Sequence, residues 1–472
     1  MSETLSERTG DREIVPAGAS RAAVALPRAR VGVVLAAGRS ERLASVTGGG
    51  SKALVRVGGI PLIERAVRGL LAEGLERVVV VVGYQAGPVA AVVDRLAPGR
   101  VRAAMSEHWE LGNGSSLAAA APYLEGEDSF VLVTTDHVFE AGALTPLVGA
   151  QRPAVLVDHA PEAEAWAEGT RVRLHEDQVV AFSKQLGDPA IDCGAFLLPV
   201  EVFDAQRRVA ARGDGSLAGV VTELAASVPL AAVPLPEGKA WQDVDTPEDL
   251  RRVSRLLRAW LTKGADGPVS RYLNRPVSTR ISTAIAHLPI SPDVISVLAF
   301  LVAAVAAFAL SGSRGVLGGI LVHVASVLDG VDGEIARLKV RASAWGALFD
   351  GVLDRLGDAA VVAGLAVWSL SPSEGHSPTV IAVLVALAAS GSMLSMASKD
   401  RITALRLPQP PERGISLLLG GHDARFLIVT ICAIAGRPLV ALVIITATSF
   451  ASLLVRVVLV GATFRAGRRG VL

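Results

Sequence analysis

The sequence predicts two folds in series: an α/β domain on a doubly wound sheet, then an all-α transmembrane domain of about six helices. Three observations lead there. Between residues 30 and 261, short β-branched runs alternate with stretches of helical spacing. Beyond residue 290 the chain becomes a succession of long apolar stretches. The 472 residues are 51% hydrophobic and only 19% charged, and their mean hydropathy of +0.46 exceeds what a soluble chain averages.

Taken in order, residues 1–29 mix acids and bases without an apolar h-region, which fits a disordered tail and no signal peptide. The α/β domain occupies residues 30–263. VGVVLAA (31–37), RVVVVVG (77–83), SFVLVTTD (129–136) and PAVLVDH (153–159) read as buried parallel strands. PLIERAVRGLLAEG (61–74) and AGPVAAVVDRLA (86–97) have helical spacing. Strand, helix, strand in this order implies right-handed βαβ units with a site at the strand C-termini. Residues 264–289 form a linker and a basic amphipathic helix suited to the membrane surface. The membrane domain covers 290–472, with apolar stretches near 294–310, 315–328, 347–370, 379–397, 426–435 and 439–464. A span needs about 20 residues, and the fifth stretch is short of that. One set of loops collects Arg337, Lys339, Arg341, Lys399, Arg401, Arg406, Arg413, Arg465, Arg468 and Arg469. The positive-inside rule makes that side, and the preceding α/β domain, cytoplasmic.

The charge balance excludes some functions. Lys plus Arg total 46 against 45 Asp plus Glu, so binding nucleic acid through bulk positive charge is not expected. Two cysteines, Cys193 and Cys432, support neither a disulfide scaffold nor a C-x2-C zinc site.

The membrane half concentrates acids in LDGVDGEIAR (328–337) and GALFDGVLD (346–354). Asp329 and Asp332 are three apart and Asp350 and Asp354 four apart, so on helices each pair shares a face. Four ionised aspartates at mid-membrane would cost on the order of 10 kcal/mol, too much for idle placement against lipid. Hard divalent cations prefer such oxygen ligands, and two of them can clamp a phosphoryl group in transfer. Spacing alone also fits solvated acids at a cytoplasmic helix end, paired with Arg337 or Arg355. The complete string D-x2-D-G-x2-A-R-x8-G-x3-D-x3-D occurs without a departure, and it resembles the signature of the CDP-alcohol phosphotransferase family. The resemblance implies that Asp329, Asp332, Asp350 and Asp354 ligate metal. It places Asp329, Gly333 and Arg337 on the nucleotide and makes Asp354 the base on the acceptor hydroxyl. Asp358 extends the face by one turn outside the signature and reads as a solvated or supporting group.

In the first half, the first strand, VGVVLAA, runs into LAAGRSERL (35–43), with SKAL (51–54) after a glycine run. A small-residue turn after a parallel strand turns backbone N–H groups toward phosphate oxygens, and Arg42 and Lys52 would neutralise a triphosphate. No G-K-[ST] closes the loop, so it is not a Walker A motif. An ordinary βα turn with solvated arginine fits the bare pattern as well. The segment is similar to the phosphate loop of the sugar-nucleotide pyrophosphorylase (nucleotidyltransferase) family, L-A-A-G-x-G-x-R, with Ser40 in place of the second Gly and Ser51 in place of a downstream Pro. The resemblance implies a Rossmann-like fold. Ala37, Gly38, Arg42 and Lys52 would lie on the nucleotide, Arg42 and Lys52 acting in catalysis. Asp136, Asp243 and Asp245 would hold metal, with Asp136 also at the nucleotide. Gly112 and Ser115 in GNGSSL would read the base. Lys184 and Asp192 would lie on the acceptor side.

One half would therefore make a nucleotide-activated alcohol and the other would consume it. The combined order resembles the bifunctional inositol-1-phosphate cytidylyltransferase/di-myo-inositol-phosphate-phosphate synthase family over nearly all of the chain beyond residue 30. That implies CTP plus inositol 1-phosphate giving CDP-inositol, then transfer to a second inositol 1-phosphate with release of CMP. Mg²⁺ or Mn²⁺ would serve both sites. Membrane lipids would surround the second half, in the plasma membrane, and a homodimer through the membrane domain is allowed. Arg275, Lys399 and Arg401 are the cationic candidates for the acceptor phosphate. Two alternatives remain: transfer to a lipid acceptor, or a degenerate, regulatory first half. A transporter fits poorly, because the acids cluster at one end of the spans.

Overall fold

A computed structural model describes residues 26–39, 41–188, 190–262, 266–405, 407, 410 and 421–469. The chain divides into two compact units between Leu256 and Leu257.

In chain order the strands of the first unit are β1 (Val31–Ala36), β2 (Arg56–Val57), β3 (Ile60–Pro61), β4 (Arg77–Val82), β5 (Val101–Met105), β6 (Ser129–Thr134), β7 (His137–Phe139), β8 (Ala154–Asp158), β9 (Arg171–His175), β10 (Gln178–Ser183), β11 (Ile191–Pro199), β12 (Ala231–Pro234) and β13 (Trp241–Asp243). Nine of them form one sheet in the order β5-β4-β1-β6-β11-β8-β12-β10-β9. Its helices include α1 (Leu62–Ala72), α2 (Ala86–Val93), α3 (Asn113–Leu117), α4 (Val202–Ala210) and α5 (Leu217–Ala225), with α6 (Pro247–Ala259) crossing the unit boundary.

Strand alternation shows why helices cover both faces. Val31, Val33 and Leu35 of β1 pack with Leu117, Phe130, Phe203 and Leu224, whereas Val34 and Ala36 pack with Ile63, Val67 and Leu70 of α1. Neither face can meet water, so the strands read as unbroken apolar runs. The four strands expected from sequence all form and share one direction. The sheet is nevertheless mixed. β11 enters antiparallel between β6 and β8. Its run IDCGAFLLP is apolar apart from Asp192, and apolarity carries no information about direction. Both cysteines are free and buried.

The second unit holds α7 (Arg275–Ile285), α8 (Pro292–Ser311), α9 (Gly315–Leu338), α10 (Ala344–Ser369), α11 (Pro378–Ala404), α12 (His422–Ile434) and α13 (Pro438–Arg469). Helices occur at all six expected stretches. Four of them, α8, α9, α11 and α13, are long and apolar enough to cross a membrane. α10 has the length, at 26 residues, but it carries Asp350, Asp354, Arg355 and Asp358. α12 has only 13 residues.

Local sequence sets the helix starts. The Ser291 and Ser343 hydroxyls accept the N–H groups of Val294 (3.4 Å) and Gly346 (3.0 Å), capping α8 and α10. Between helices, Thr430 of α12 donates to the Gly319 carbonyl of α9 at 2.9 Å. A side chain at Gly319 would sit 2.9 Å from the Thr430 carbonyl oxygen, so glycine permits this approach.

Candidate active sites

The first site lies at the C-terminal ends of β1 and β6, where a doubly wound sheet opens. Gly38 follows β1, Thr134 ends β6, and with Arg42, Lys52, Asn113, Asp136 and Asp245 they line a cavity of about 200 Å³. Lys52 is nearly buried. Its Nζ reaches Asp136 Oδ2 at 3.0 Å and also binds Asp245, which in turn accepts from Arg42. Arg42 has a further partner in Glu168 at 3.5 Å. Burial opposes the Lys52 charge, but Asp136 and Asp245 outweigh it and keep the ammonium above the ordinary lysine range. Burial likewise raises the Asp136 carboxyl, yet Lys52 and His137 hold it well below the usual carboxylate range. Both groups therefore keep their charges at neutral pH, a fixed cation between two anions facing a phosphate-sized space.

A second cavity of about 220 Å³ adjoins it, and Thr134 and Asp245 border both. Lys184, Asp192, His137, Trp241 and Asp243 line this neighbour. The His137 ring stacks on Trp241 with centroids 5.3 Å apart and planes at 6°. Gly194, at φ 70°, lies so close to the other side that a Cβ there would come within 2.8 Å of the ring. Asp192 accepts the Gly194 N–H at 2.6 Å, and burial pushes its carboxyl up to about 6.

The expected residues distribute as follows. Gly38, Arg42, Lys52, Asp136 and Asp245 come together. Ala37 is buried beneath the loop and its carbonyl accepts the Tyr84 N–H at 2.9 Å. In the GNGSSL loop, Asn113 faces the cavity, whereas the buried Ser115 gives its N–H to the Gly215 carbonyl at 3.2 Å. Gly112, at φ 121°, sits against the Gly215 backbone. Asp136 and Asp245 converge on Lys52, whereas Asp243 lines the neighbouring cavity and accepts from Gln242 at 3.0 Å. The Asp136, Asp243 and Asp245 carboxylates do not gather as one triad. Ser40 lies outside the described residues.

In the second unit, α9 and α10 face each other and bring the signature carboxylates together. One oxygen each of Asp329, Asp350 and Asp354 lie within 4.8 Å of one another, the only such metal-capable trio among the described residues. Asp332 accepts from Ser296 of α8 and from the Gly333 N–H, and it is within hydrogen-bond reach of Asp350. Three adjoining carboxylates repel one another when ionised and an external cation relieves that repulsion, so the donor set fits hard divalent cations. Arg337 donates from Nη2 to the Leu261 carbonyl at 3.2 Å, while its buried Nε has no partner, a donor left over for a ligand.

The acceptor arginine candidates fall in different surroundings. Arg275, expected at the acceptor phosphate, is instead held by Asp266 (2.9 Å) and Glu334 (2.7 Å). Lys399 and Arg401 sit exposed near the end of α11. Sequence reasoning passed over two arginines inside the bundle. Arg425 of α12 donates to Ser392 (3.3 Å) and Ser449 (3.1 Å), and Arg456 of α13 donates to Ser395 and Ser398. A chain of contacts joins Arg425 to the carboxylates: Ser392 donates to Asp358 at 2.8 Å, and Arg355 binds Asp358 at 2.9 Å and approaches Asp354 at 3.8 Å. A charged residue within an apolar helix was the available signal.

The fold and sites define an enzyme of two transferase parts. Residues 32–284 match the MobA-like NTP transferase domain family and residues 289–410 the CDP-alcohol phosphatidyltransferase family. Both families use divalent metals. A protein from Rubrobacter xylanophilus described as a bifunctional IPC transferase and DIPP synthase is 36% identical over 416 residues, 87% of this chain and 91% of that one. One from Aquifex aeolicus with the same description is 32% identical, covering 86% and 92%. The chain belongs to the family of bifunctional IPC transferases and DIPP synthases. Among solved structures, the inositol-1-phosphate CTP transferase from T. maritima is 26% identical, spanning 49% of this chain and 96% of that one at a TM-score of 0.45.

Proposed function

We propose that the first unit makes CDP-inositol and pyrophosphate from CTP and inositol 1-phosphate. The second then moves the inositol-phosphate group of CDP-inositol to a hydroxyl of another inositol 1-phosphate and releases CMP. The observation that carries this reading is the presence, in one chain, of a triphosphate-type cavity built on Lys52 and a carboxylate trio built on the CDP-alcohol signature. In the first unit, Arg42 and Lys52 offset charge on the phosphates, and the Lys184 and Asp192 cavity receives the polyol phosphate across Asp245. In the second, Asp329, Asp332, Asp350 and Asp354 would hold Mg²⁺ or Mn²⁺, which when bound neutralises the diphosphate. Gly333 and Arg337 lie along the nucleotide. Asp354 takes the acceptor hydroxyl's proton as the new O–P bond forms and the bond to CMP breaks.

The acceptor's own phosphate needs cations, and Arg425 and Arg456, set inside the bundle, are the candidates for that role. On this reading membrane lipids surround α8 to α13 in the plasma membrane, and the arginine-rich loops, through the positive-inside rule, support a cytoplasmic side for both sites. The test is incubation of the full-length protein with CTP, Mg²⁺ and a panel of polyol phosphates, with products followed by phosphorus NMR. Pyrophosphate and CDP-inositol, then CMP and a doubly inositol-linked product, are expected. No pyrophosphate with any polyol phosphate overturns the first half. Transfer to a lipid alcohol but never to inositol 1-phosphate overturns the second.

A further inference from the structure

Glu334 is the signature helix's least exposed acid, at 0% exposure. It occupies a variable position of the motif, between Gly333 and Arg337, and takes no part in the carboxylate trio. Burying a carboxylate so completely requires that its oxygens be satisfied. Both are. Oε1 accepts from Arg275 Nη1 at 2.7 Å and from Ser278 Oγ at 2.6 Å, and Oε2 accepts from Ser282 Oγ at 2.6 Å. All three donors belong to α7. Arg275 is itself fixed by a two-pronged pair with Asp266, at 2.9 and 3.2 Å.

The same helix packs on Gly330, where a Cβ would lie 3.4 Å from Arg275 Nη1 and 3.5 Å from Ser278. Gly330 and Glu334 are four apart and share a face, whereas Asp329 and Asp332 turn toward α10 and α8. One further contact holds the far end: Lys339, just past α9, donates to the Leu288 and Ile290 carbonyls at 2.6 and 3.1 Å, directly after α7. The back of the aspartate-bearing helix is therefore locked to α7 by an ion pair and two hydroxyls, and to the segment after α7 by a lysine.

We propose that Glu334 is a positioning residue for the transfer step. Through Arg275, Ser278 and Ser282 it sets the rotation and height of α9, so that Asp329 and Asp332 reach the same point as Asp350 and Asp354. The proposal rests on the reading of those four aspartates as the transfer site. A ligand set shared by two helices tolerates little sliding, because a displacement of about 1 Å already spoils reacting geometry.

The experiment uses full-length protein carrying Glu334→Gln, and separately the Ser278→Ala/Ser282→Ala double variant, which keeps the charge pair. CTP-dependent pyrophosphate release reports the first unit and should stay within twofold of wild type in both. With supplied CDP-inositol, E334Q should lose at least tenfold in transfer kcat and need severalfold more Mg²⁺ for half-maximal rate. At saturating Mg²⁺ its KM for CDP-inositol should move less than threefold. The double variant should fall between E334Q and wild type. Hydrogen exchange of residues 326–338 should quicken in both variants while that of α13 does not. A lower melting temperature with kcat and Mg²⁺ requirement within twofold of wild type would show a merely structural carboxylate and overturn the proposal. If E334Q does not fold, wild-type kinetics in the double variant overturn it instead. Unchanged exchange over 326–338 overturns it whatever the rates. A wild type that transfers from no CDP-alcohol overturns the underlying reading of the aspartates.

Discussion

Asp192 is a half-buried carboxylate with one hydrogen bond, from Gly194, and burial raises its titration to about 6. In the unfolded chain it would titrate near 4. The native state thus binds this proton more tightly than the unfolded state does. The protonated form carries a smaller burial penalty than the carboxylate, so this group's full contribution to stability is present below about pH 4 and is lost as pH rises through about 6. The loss amounts to at most about 3 kcal/mol. Asp192→Asn should flatten this part of the pH–stability curve, read by thermal unfolding between pH 4 and 7.5. An unchanged slope would mean that another group produces it. The same variant should raise the KM for the polyol phosphate and leave that for CTP nearly unchanged, because Asp192 lines only the acceptor-side cavity. Lys52 is different in kind. It ties Asp136 to Asp245, so Lys52→Ala leaves two carboxylates facing each other and should weaken CTP use at every polyol phosphate tested.

At the scale of elements, helix faces decide which arginines can meet an anionic acceptor. Arg425 and Arg456 point into the bundle from α12 and α13, where Arg425 donates to Ser392 and Ser449 and Arg456 to Ser395 and Ser398. Lys399 and Arg401 stand exposed on α11. Arg425→Gln and Arg456→Gln should therefore raise the acceptor KM roughly ten- to a hundredfold, the value of about 1.5–3 kcal/mol for a charged hydrogen bond, with little change in KM for CDP-inositol. Lys399→Ala and Arg401→Ala should stay within about threefold. Separate titration of the two substrates checks both statements, and the reverse ranking would place the phosphate at the membrane surface. The sequence showed the strands that carry the loops and, through unvaried spacing, the four aspartates. It could not show Arg425 or Arg456, since a single arginine in an apolar run has no periodic partner to mark its face. Nor could it show that β11 runs antiparallel, or that Glu334 at a variable motif position would be the most buried acid of its helix. Those properties arise from contacts between segments far apart in sequence, such as Ser278 with Glu334 and Arg425 with Ser449.

For the whole molecule, the question is whether two chemistries in one chain are two separable sites. Each unit has its own charged set: Lys52, Asp136 and Asp245 before residue 257, and Asp329, Asp350 and Asp354 after it. Substitutions confined to one set should then act on one step. Asp136→Ala removes a carboxylate whose charge Lys52 and His137 stabilise, and it should abolish CDP-inositol formation while sparing consumption of supplied CDP-inositol. Asp350→Ala removes one of three converging oxygens and should do the opposite, so that CDP-inositol and pyrophosphate accumulate from CTP and inositol 1-phosphate. Mixing the two variants should restore the complete reaction, because CDP-inositol released by one can diffuse to the other. Restoration that stays far below wild type at equal total protein, while each variant keeps its full remaining half-reaction, would show that the intermediate normally passes between sites without leaving the protein. Loss of both steps in either single variant would mean that the sites are not independent.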